Sequence, residues 1–394
     1  MSRSDERLRP FREGLEAIEA GGGRRVLWNI QSREGKHLTV NGRRLIDLSS
    51  NDYLGLACDA EVLREFFIHL AEAPTCRRSM GSGASRLLSG NSAGYADLEA
   101  EISSAYSGRA ALVFASGYHA NIGIIPALVE KGDIILSDRL NHASIIDGAR
   151  LSGAERAVFG HLDYDEAEAI LAARRAKSRR ALIVTESIFS MDGDAADLVR
   201  LAEIARRYDA LLYVDEAHAV GVFGERGLGL CSRDLPDGGA DVIVGTFGKA
   251  IGGHGAFTVI DPVIRDWIIN RCRTFIFSTA LPPALAEWNR FAFNRMQSMD
   301  EHRRRLLANA ARLRRALIEA GFEAPGAAQI LPVILGDNRR AVRAAEILRE
   351  EGYFVLPIRP PTVPEGSARL RLSLRSDIDL DEVLDIPRAL TKVL

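Results

Sequence analysis

Two short apolar runs are each followed by chemically reactive side chains. The two stretches are Leu211-Leu212-Tyr213-Val214-Asp215-Glu216-Ala217-His218 and Val242-Ile243-Val244-Gly245-Thr246-Phe247-Gly248-Lys249. Short apolar runs separated by helical spacing predict buried strands of a parallel sheet that is covered by helices on both faces. The carboxyl ends of parallel strands lie at one edge of such a sheet, and ligands bind there. We therefore expect Asp215, His218 and Lys249 to lie together at that edge.

Three further apolar runs continue this pattern, over Ala110–Phe114 and over residues 134–136 and 181–184. The first run leads into Ser116-Gly117-Tyr118-His119, where the N-terminus of a following helix can receive a phosphate. The last run leads into a polar stretch that contains Ser190. Strands that alternate with helices in this way predict the α/β class, with a mainly parallel, two-sided sheet.

The length of 394 residues exceeds what one hydrophobic core usually organises. We expect an N-terminal arm over residues 1–45, a large domain over 46–282 and a smaller α+β domain over 283–394. The arm carries a helical pattern over residues 5–20 that ends at three glycines, and a long helical pattern over 284–320 joins the two domains. The C-terminal domain is predicted to contain a strand at 330–335, a helix at 339–351, a strand and proline-rich loop at 353–364, an alternating strand at 368–375 and a helix at 379–394.

Composition excludes several classes of protein. Hydrophobic residues make up 47% of the chain and charged residues 26%, which is ordinary for a globular enzyme and unlike disordered or coiled-coil chains. A net charge of -2 leaves no overall basic field for nucleic acid or an anionic membrane. The four cysteines are scattered, and no apolar run approaches the roughly 20 residues of a membrane span. We expect reduced thiols, no metal and a cytoplasmic location.

The groups expected at the sheet edge are those that pyridoxal 5'-phosphate (PLP) requires. The cofactor needs an amine that binds it covalently, a carboxylate for its ring nitrogen and donors for its phosphate. Each group has an ordinary alternative, because Asp215 can cap a turn, Lys249 can lie in a solvated turn and Ser190 can be a turn serine. Only five of the 51 basic residues are lysines. The joint occurrence of these groups in sheet order favours the cofactor.

Five motifs match, in order, the signatures of the α-oxoamine synthases, a family of PLP enzymes that the chain resembles over nearly its whole length. The motifs are Ser50-Asn51-Asp52-Tyr53-Leu54-Gly55-Leu56, Gly81-Ser82-Gly83-Ala84-Ser85-Arg86, Asp138-Arg139-Leu140-Asn141-His142-Ala143-Ser144, Asp215-Glu216-Ala217-His218 and Gly245-Thr246-Phe247-Gly248-Lys249. The resemblance implies the PLP-dependent transferase fold of type I, which is aspartate aminotransferase-like, with a mainly parallel seven-stranded sheet and a smaller C-terminal domain.

The resemblance also implies roles for individual residues. Lys249 would bind the cofactor covalently, Asp215 would pair with its ring nitrogen and His218 would bond its ring hydroxyl. His142 would stack on the cofactor face, although a histidine at this position can also simply cap a helix. Further contacts to the cofactor and its phosphate would come from Gly117, Tyr118, Ser190 and Thr246, and from Ser278 and Thr279 of a neighbouring subunit. A homodimer with shared active sites is therefore expected.

Substrate-binding residues are expected in the C-terminal part and near the arm. In the alternating strand 368–375, Arg369, Arg371 and Arg375 share a face, and solvated arginines would give the same spacing. By resemblance, Arg371 clamps the carboxylate of the amino acid substrate in a bidentate fork. The remaining predicted substrate contacts are Asn51, Arg359, Thr362 and Arg25 after the triple glycine, with the adjacent Arg24 as the alternative register.

Members of the family join an acyl thioester to glycine, alanine or serine. Gly336-Asp337-Asn338 and the segment 358–371 resemble the biotin-pathway members more than the glycine C-acetyltransferases or the serine palmitoyltransferases. This resemblance implies L-alanine and pimeloyl-CoA or pimeloyl-ACP as substrates, with the carrier left open. Ala84 stands where the family often has a third glycine, and together with Asn91 it bears on the acyl pocket more than on the chemistry.

Other classes of protein fit the sequence less well. Gly90-Asn91-Ser92-Ala93-Gly94 matches the G-x-S-x-G pattern of serine hydrolases, but the residues before it are too polar for the buried strand that such a motif needs. A dinucleotide-binding G-x-G-x-x-G between a strand and a helix is missing from the sequence. A non-catalytic scaffold and a different type I enzyme, such as an aminotransferase, stay as alternatives.

Overall fold

The protein is described by a computed structural model that covers residues 3–236 and 238–393. The chain forms two compact units. The larger unit comprises Asn51–Ser190 and Asp194–Arg305, and the smaller unit combines the chain up to Ser50 with Met191–Gly193 and the chain from Leu306 onward. The change from one unit to the other falls within the helix Asp300–Glu319. The domain boundaries expected from the sequence, between residues 45 and 46 and between 282 and 283, stay a prediction.

A seven-stranded sheet forms the centre of the larger unit, which confirms the predicted α/β class. One strand, Ala256–Ile260, runs antiparallel to both of its neighbours, and the other pairings are parallel. In spatial order the strands are Ala110–Phe114, Ala256–Ile260, Val242–Thr246, Leu211–Asp215, Ala181–Glu186, Ile134–Asp138 and Glu155–Phe159. Five of the seven correspond to predicted runs, and Glu155–Phe159 and Ala256–Ile260 do not.

Helices cover the sheet, and short polar side chains cap the N-termini of several of them. Leu198–Arg207 shows how the sequence specifies them, because the carboxylate of Asp197 accepts a hydrogen bond from the backbone N–H of Arg200. Leu201 and Ile204 are buried on one face of this helix. The helices of the larger unit are Ala60–Glu72, Thr75–Arg78, Ala93–Ala105, Gly117–Leu128, Ala143–Ser152, Tyr164–Arg174, Leu198–Arg207, Leu230–Asp234, Pro262–Arg271, Arg273–Phe277 and Pro283–Gln297.

The long helical pattern over residues 284–320 corresponds to two helices, Pro283–Gln297 and Asp300–Glu319. The first belongs to the larger unit, although the predicted division assigns it to the C-terminal domain. Its buried Glu287 accepts a hydrogen bond of 2.5 Å from Arg77, and Asn289 donates one of 2.8 Å to the carbonyl of His254. These buried polar contacts hold the helix against the larger unit.

The smaller unit contains two small sheets. The helix Arg3–Ala20 corresponds to the helical pattern predicted for the arm. Three strands follow it, and they were not predicted: Ile30–Glu34, His37–Val40 and Arg43–Asp47, the last of which ends beyond residue 45. One sheet has the strand order Ile30–Glu34, His37–Val40, Arg43–Asp47, Tyr353–Phe354, and the other has the order Ile330–Gly336, Ala368–Ser373, Pro357–Ile358. The helix Asn338–Glu350 follows the strand Ile330–Gly336.

The predicted C-terminal helix over residues 379–394 is wrong within the described residues. The structure has a short turn at Leu380–Glu382, a helix at Ile386–Leu390 and a turn at Thr391–Val393. Asp379 and Glu382 form a capping box around the first turn. Pro387 follows at the start of the next helix, where it cannot donate a hydrogen bond back to the preceding turn.

Three absences hold for the described part of the chain. None of its helices combines the length and the apolar character that crossing a membrane requires. No group of three or more histidine, cysteine or acidic side chains is arranged to hold a metal ion within residues 3–236 and 238–393. The four cysteines are free thiols.

Candidate active site

The carboxyl ends of three adjacent strands bring Glu186, Asp215 and Thr246 to one edge of the sheet. Glu186 lies opposite Asp215 in the pairing of their two strands, and Val242–Thr246 is the next strand along. All three side chains are buried. The edge predicted from the two apolar runs therefore exists, and it presents a carboxylate within the larger unit.

The Asp215 carboxylate is held by two hydrogen bonds. Its Oδ2 accepts from Nδ2 of Asn121 at 2.7 Å and its Oδ1 accepts from the backbone N–H of Ala217 at 2.9 Å. Asn121 is itself fixed, because its Oδ1 accepts from the hydroxyl of Tyr213 at 2.6 Å. Asp215 is only 6% exposed, so a cationic N–H placed against it would form a strong charge-assisted bond.

The same network reaches His142 through Ser144. Asn121 Nδ2 donates to Ser144 Oγ at 2.9 Å, and Ser144 Oγ lies 2.7 Å from Nδ1 of His142. The backbone N–H of Ser144 also donates to this Nδ1 at 3.2 Å. A backbone N–H can only donate, so Nδ1 is unprotonated and the neutral ring carries its proton on Nε2. The pKa of His142 agrees with a neutral ring. Burial lowers this pKa, and the nearby charge of Lys249 also lowers it, whereas the charge of Asp215 raises it by less than their combined effect.

His142 therefore caps the helix Ala143–Ser152, the feature on which the simpler alternative rests. The cap does not compete with stacking, because it uses only Nδ1 and leaves the ring faces unchanged. The ring of Tyr118 stands edge-on to His142, with centroids 6.4 Å apart at 81°. Stacking of His142 on the cofactor stays a prediction.

Gly117 and Tyr118 begin the helix Gly117–Leu128. Ser116 caps this helix by accepting from the backbone N–H of His119 at 3.1 Å. A Cβ atom added to Gly117 would meet nothing within 4 Å, so the space beside the first turn is open. Open space beside unpaired backbone N–H groups is what a phosphate needs. The phenol of Tyr118 donates to Asp147.

Lys249 lies at the end of a hydrogen-bonded chain of polar groups. Its Nζ is 2.7 Å from Nε2 of His218, and Nδ1 of His218 is 2.7 Å from the hydroxyl of Tyr53. That hydroxyl donates to Oδ1 of Asn51 at 3.1 Å. With Tyr53 donating to Asn51, Nδ1 of His218 donates to Tyr53 and Nε2 accepts from Lys249. The predicted residues Asn51, His218 and Lys249 thus lie in one network, and Tyr53 is the link that the sequence prediction omitted.

Thr246 shapes the turn before Lys249. Its Oγ1 donates to the carbonyl of Gly255 at 3.0 Å and accepts from the backbone N–H of Gly248 at 3.2 Å. Ser190 is half-buried in a turn that follows the bridge between Ile188 and Ala195. Ser278 and Thr279 follow the short helix Arg273–Phe277, and Thr279 is exposed and pairs with Ser85 in an isolated bridge.

The arginines of the strand Ala368–Ser373 and its extension are buried in the smaller unit, so the alternative of solvated arginines is wrong. Each has an acceptor within that unit, which compensates for its burial. Arg369 pairs with Asp192, and Nη1 of Arg371 donates to Ser373 Oγ at 2.7 Å. Arg375, only 1% exposed, pairs with Asp377 at 2.7 Å.

Arg25, Arg359 and Thr362 lie together in the smaller unit. Nη2 of Arg25 lies 3.3 Å from Oγ1 of Thr362 and 3.4 Å from the carbonyl of Arg359. Arg359 in turn donates to the carbonyl of Arg24 at 3.1 Å. Of the two arginines that the sequence left open, Arg25 is the one whose side chain reaches the proline-rich loop, whereas Arg24 pairs with Glu19.

Two buried carboxyl groups beside Asp215 were not among the predicted site residues. Burial and the adjacent Asp215 charge raise the pKa of Glu186 to about 8, although Lys249 and a backbone bond at His142 oppose them. Burial likewise raises the pKa of Glu216 to about 7, and its Oε1 accepts from the backbone N–H of Leu230 at 2.9 Å. At neutral pH Glu186 is therefore mainly neutral, whereas Glu216 is partly ionised.

Close packing around Glu216 gives a first prediction about stability. A Cβ atom at Gly229 would lie 1.8 Å from Oε2 of Glu216, and Gly229 has a φ of +89°. Gly132 has a similar φ of +94°, but an added Cβ would meet nothing within 4 Å. Gly132→Ala should cost about 1–2 kcal/mol for backbone strain alone, and Gly229→Ala should cost about 1–3 kcal/mol more for the clash.

Urea unfolding of the two variants would measure this difference in the free energy of unfolding. Both variants carry the cost of a positive φ, and the excess at residue 229 reports the clash with Glu216 together with the extra strain of its ψ of 177°. Equal losses for Gly229→Ala and Gly132→Ala would show that Glu216 moves aside without cost.

The larger unit meets the chemical requirements of PLP. It supplies the amine of Lys249, the fixed and buried carboxylate of Asp215, the neutral ring of His142 and open space at the helix N-terminus of Gly117. A buried carboxylate without a cationic partner is costly, and a protonated pyridine nitrogen would supply one. The residues present therefore fit the cofactor.

Comparisons with known proteins agree with this chemistry. The family model "Aminotransferase class I and II" matches residues 43–386. An 8-amino-7-oxononanoate synthase from Chlorobaculum parvum is 50% identical over 369 residues, which are 93% of this chain and 94% of that protein. Among solved structures, a serine palmitoyltransferase from Sphingomonas wittichii has a TM-score of 0.90 at 31% identity, covering 98% of this chain and 97% of that chain.

A high-resolution structure of SPT with PLP also matches, with a TM-score of 0.89 at 28% identity over 98% of this chain and 97% of that chain. The predictions of a type I fold and of PLP as the cofactor are confirmed. The chain belongs to the aminotransferase class I and II family and, within it, is a PLP-dependent acyltransferase of the α-oxoamine synthase family.

Proposed function

We propose that the chain is an 8-amino-7-oxononanoate synthase of biotin biosynthesis, which joins L-alanine to a pimeloyl thioester and releases carbon dioxide and the carrier thiol. The observation that carries the proposal is its 50% identity, over 93% of the chain, to a relative of that name. The serine palmitoyltransferase with a similar fold is only 31% identical. The motifs 336–338 and 358–371 support the same choice.

PLP supplies the electron-withdrawing ring that makes the α-hydrogen of L-alanine acidic. Asp215 keeps a proton on the ring nitrogen, because its buried carboxylate is fixed by Asn121 and Ala217. Glu186, with its raised pKa, adds little competing charge at neutral pH. A positive ring nitrogen would thus be stabilised by the carboxylate of Asp215.

Lys249 moves the proton at the α-carbon. Its Nζ, 2.7 Å from Nε2 of His218, removes the α-proton and later returns one to the same carbon. In between, the α-carbon bonds to the thioester carbonyl carbon, the C–S bond breaks and the thiolate takes a proton from solvent water, so that the proton held by Lys249 stays available for the α-carbon. The bond to the carboxylate then breaks to release carbon dioxide.

Arg371 binds the carboxylate of L-alanine in this proposal. It is 8% exposed and donates to Ser373, so its guanidinium is held in one orientation for a bidentate contact. Arg25, Arg359 and Thr362 form the group that we assign to the pimeloyl substrate. Their mutual contacts support a shared role.

We also propose a homodimer with shared active sites. Ser278 and Thr279 would contact the phosphate bound by the second copy, a role that their place at the surface of the larger unit permits. Thr279 is fixed by its bridge to Ser85, and Ser82 Oγ donates to the carbonyl of Ala280 at 2.8 Å. A backbone held in this way can present the two hydroxyls to a ligand.

An assay of amino acid and acyl donor tests the proposed reaction. Purified protein with PLP is given L-alanine, glycine or L-serine in turn, with pimeloyl-CoA, pimeloyl-ACP, acetyl-CoA or palmitoyl-CoA, and each product is identified by mass spectrometry. We expect kcat/KM for L-alanine with a pimeloyl thioester to exceed the other pairs by about tenfold or more, since one misplaced methyl group costs about 1–3 kcal/mol.

The alternative is another α-oxoamine synthase, of the glycine C-acetyltransferase or serine palmitoyltransferase kind. A preference for glycine with acetyl-CoA, or for L-serine with palmitoyl-CoA, would replace the proposed substrates by that alternative. The ratio of the rates with pimeloyl-CoA and pimeloyl-ACP would identify the carrier.

A further inference from the structure

His161 follows the edge strand Glu155–Phe159 and has an acidic partner on each ring nitrogen. Nδ1 lies 2.9 Å from Oδ1 of Asp138, and Nε2 lies 2.5 Å from Oδ2 of Asp194. The side chain is 17% exposed, and its ring stands edge-on to Phe189 with centroids 4.5 Å apart. A histidine that no substrate or cofactor role requires is thus built into the larger unit.

This geometry fixes the charge of His161. A carboxylate can only accept, so both ring nitrogens must donate and the ring must be an imidazolium cation. Burial lowers the pKa of His161, but the bonds to Asp138 and Asp194 outweigh it and raise the pKa to about 9. The phenol of Tyr164 also faces the two acids, and burial raises its pKa to about 12, so it stays neutral below pH 9.

Asp138 organises the loop that carries His142. Its carboxylate accepts from the backbone N–H of Leu140 at 2.8 Å and from that of Leu162 at 2.9 Å, in addition to His161. The same loop is tied to the next strand, because Asn141 Nδ2 donates to the carbonyl of Val184 at 2.8 Å. Movement of Asp138 would therefore be transmitted to His142.

Asp194 belongs to the segment that carries Ser190. Its carbonyl accepts from the backbone N–H of Phe189 at 3.0 Å, and the bridge between Ile188 and Ala195 closes the segment. Phe189 lies directly before Ser190 and packs against the His161 ring. His161 thus contacts both the start of the His142 loop and the two ends of the Ser190 turn.

We propose that His161 is a positioning residue, a doubly paired cation that joins the loop carrying His142 to the segment carrying Ser190 and so holds both in the arrangement that binds PLP. The proposal rests on the cofactor-binding roles given to His142 and Ser190, and it is independent of the acyl substrate. Without the cation, Asp138 and Asp194 would face each other as like charges around a gap.

The raised pKa sets the direction of the pH effect. The imidazolium is the form favoured by folding, so its contribution is complete below the ordinary pKa of about 6.5. It decreases as the pH rises from about 6.5 and is lost as the pH passes about 9. PLP binds the folded protein, in which His161 is already an imidazolium, so the contribution of His161 to PLP affinity should stay constant at neutral pH and be lost only as the pH passes about 9.

The test compares His161→Gln with the control His69→Gln, which replaces an exposed histidine on the helix Ala60–Glu72. The dissociation constant of PLP is measured by fluorescence quenching of the apoprotein between pH 6 and 10. Because hydrogen bonds to charged groups are stronger than those between neutral groups, we expect His161→Gln to weaken PLP binding about tenfold or more at pH 7. His69→Gln should leave it unchanged.

The pH dependence separates a positioning cation from a merely structural residue. The ratio of the two dissociation constants, His161→Gln over wild type, should fall towards one as the pH passes about 9. Equal affinities at pH 7, or a ratio that does not change with pH, would overturn the proposal. If PLP binding behaves as expected but the protein does not react with L-alanine, only the proposed substrates are refuted, and the role of His161 stands.

Two further measurements cover the case in which His161→Gln does not fold. In wild-type apoprotein with ¹⁵N-labelled histidine, one imidazole should titrate near pH 9. Asp194→Asn keeps the bond from His161 to Asp138 and removes one anion, so it should shift that titration to lower pH and weaken PLP binding. The absence of any histidine titrating above pH 8 in the wild type would contradict the inference.

Discussion

Lys249→Ala should abolish turnover, with kcat lower by about 10⁴-fold or more. The change removes both the covalent attachment of PLP and the base 2.7 Å from His218 that moves the α-proton. Borohydride reduction of the wild-type holoenzyme, followed by peptide mass spectrometry, should find the cofactor on the peptide that contains Lys249. The variant should release its cofactor on gel filtration after the same reduction.

The matched control for this substitution is Lys177→Ala, which removes an exposed lysine of the larger unit. It should retain wild-type turnover and cofactor labelling. Thermal unfolding of the apoproteins distinguishes chemistry from stability, because neither lysine is part of the hydrophobic core. Substantial turnover by Lys249→Ala, or labelling of another lysine, would refute the assignment of the cofactor-binding residue.

Several parts of the fold could be predicted because buried strands have an unambiguous composition. The runs that end at Asp215 and Lys249 are short, apolar and followed by polar groups, so both the strands and their functional ends were apparent. The strand Ala256–Ile260 is equally apolar, but a run of this kind does not indicate where a strand inserts or in which direction. Its antiparallel place next to Ala110–Phe114 depends on tertiary pairing.

Parts of the site could not be predicted for a similar reason. The two helices that replace the pattern 284–320 share one continuous apolar spacing, and only the local backbone interrupts it at Ser298. Asn121 lies in a mainly apolar helix and becomes functional only because Asp215 is opposite it. His161 depends on acids 23 and 33 residues away. Such contacts exist only after folding, and no local motif encodes them.

The charge of Asp215 should be as important as its shape, so Asp215→Asn is expected to lower kcat by about 10²- to 10³-fold. Asparagine is close in volume but neutral, and it can no longer hold the proton on the ring nitrogen. It also creates a conflict between donors. Asn121 Nδ2 and the backbone N–H of Ala217 each donate to one carboxylate oxygen, so the new amide NH2 must face one of them.

Steady-state kinetics with L-alanine and pimeloyl-CoA, combined with the PLP dissociation constant, would separate the two effects of Asp215→Asn. Loss of the charge lowers kcat, whereas the donor conflict lowers cofactor affinity and the melting temperature of the apoprotein. Glu186→Gln is the informative control, because glutamine resembles the neutral acid that the raised pKa of Glu186 implies at pH 7. It should retain kcat within about threefold, since it leaves the local charge unchanged. A large loss of kcat for Glu186→Gln with little loss for Asp215→Asn would contradict this assignment. It would show that Glu186 carries the negative charge and that Asp215 is the neutral acid.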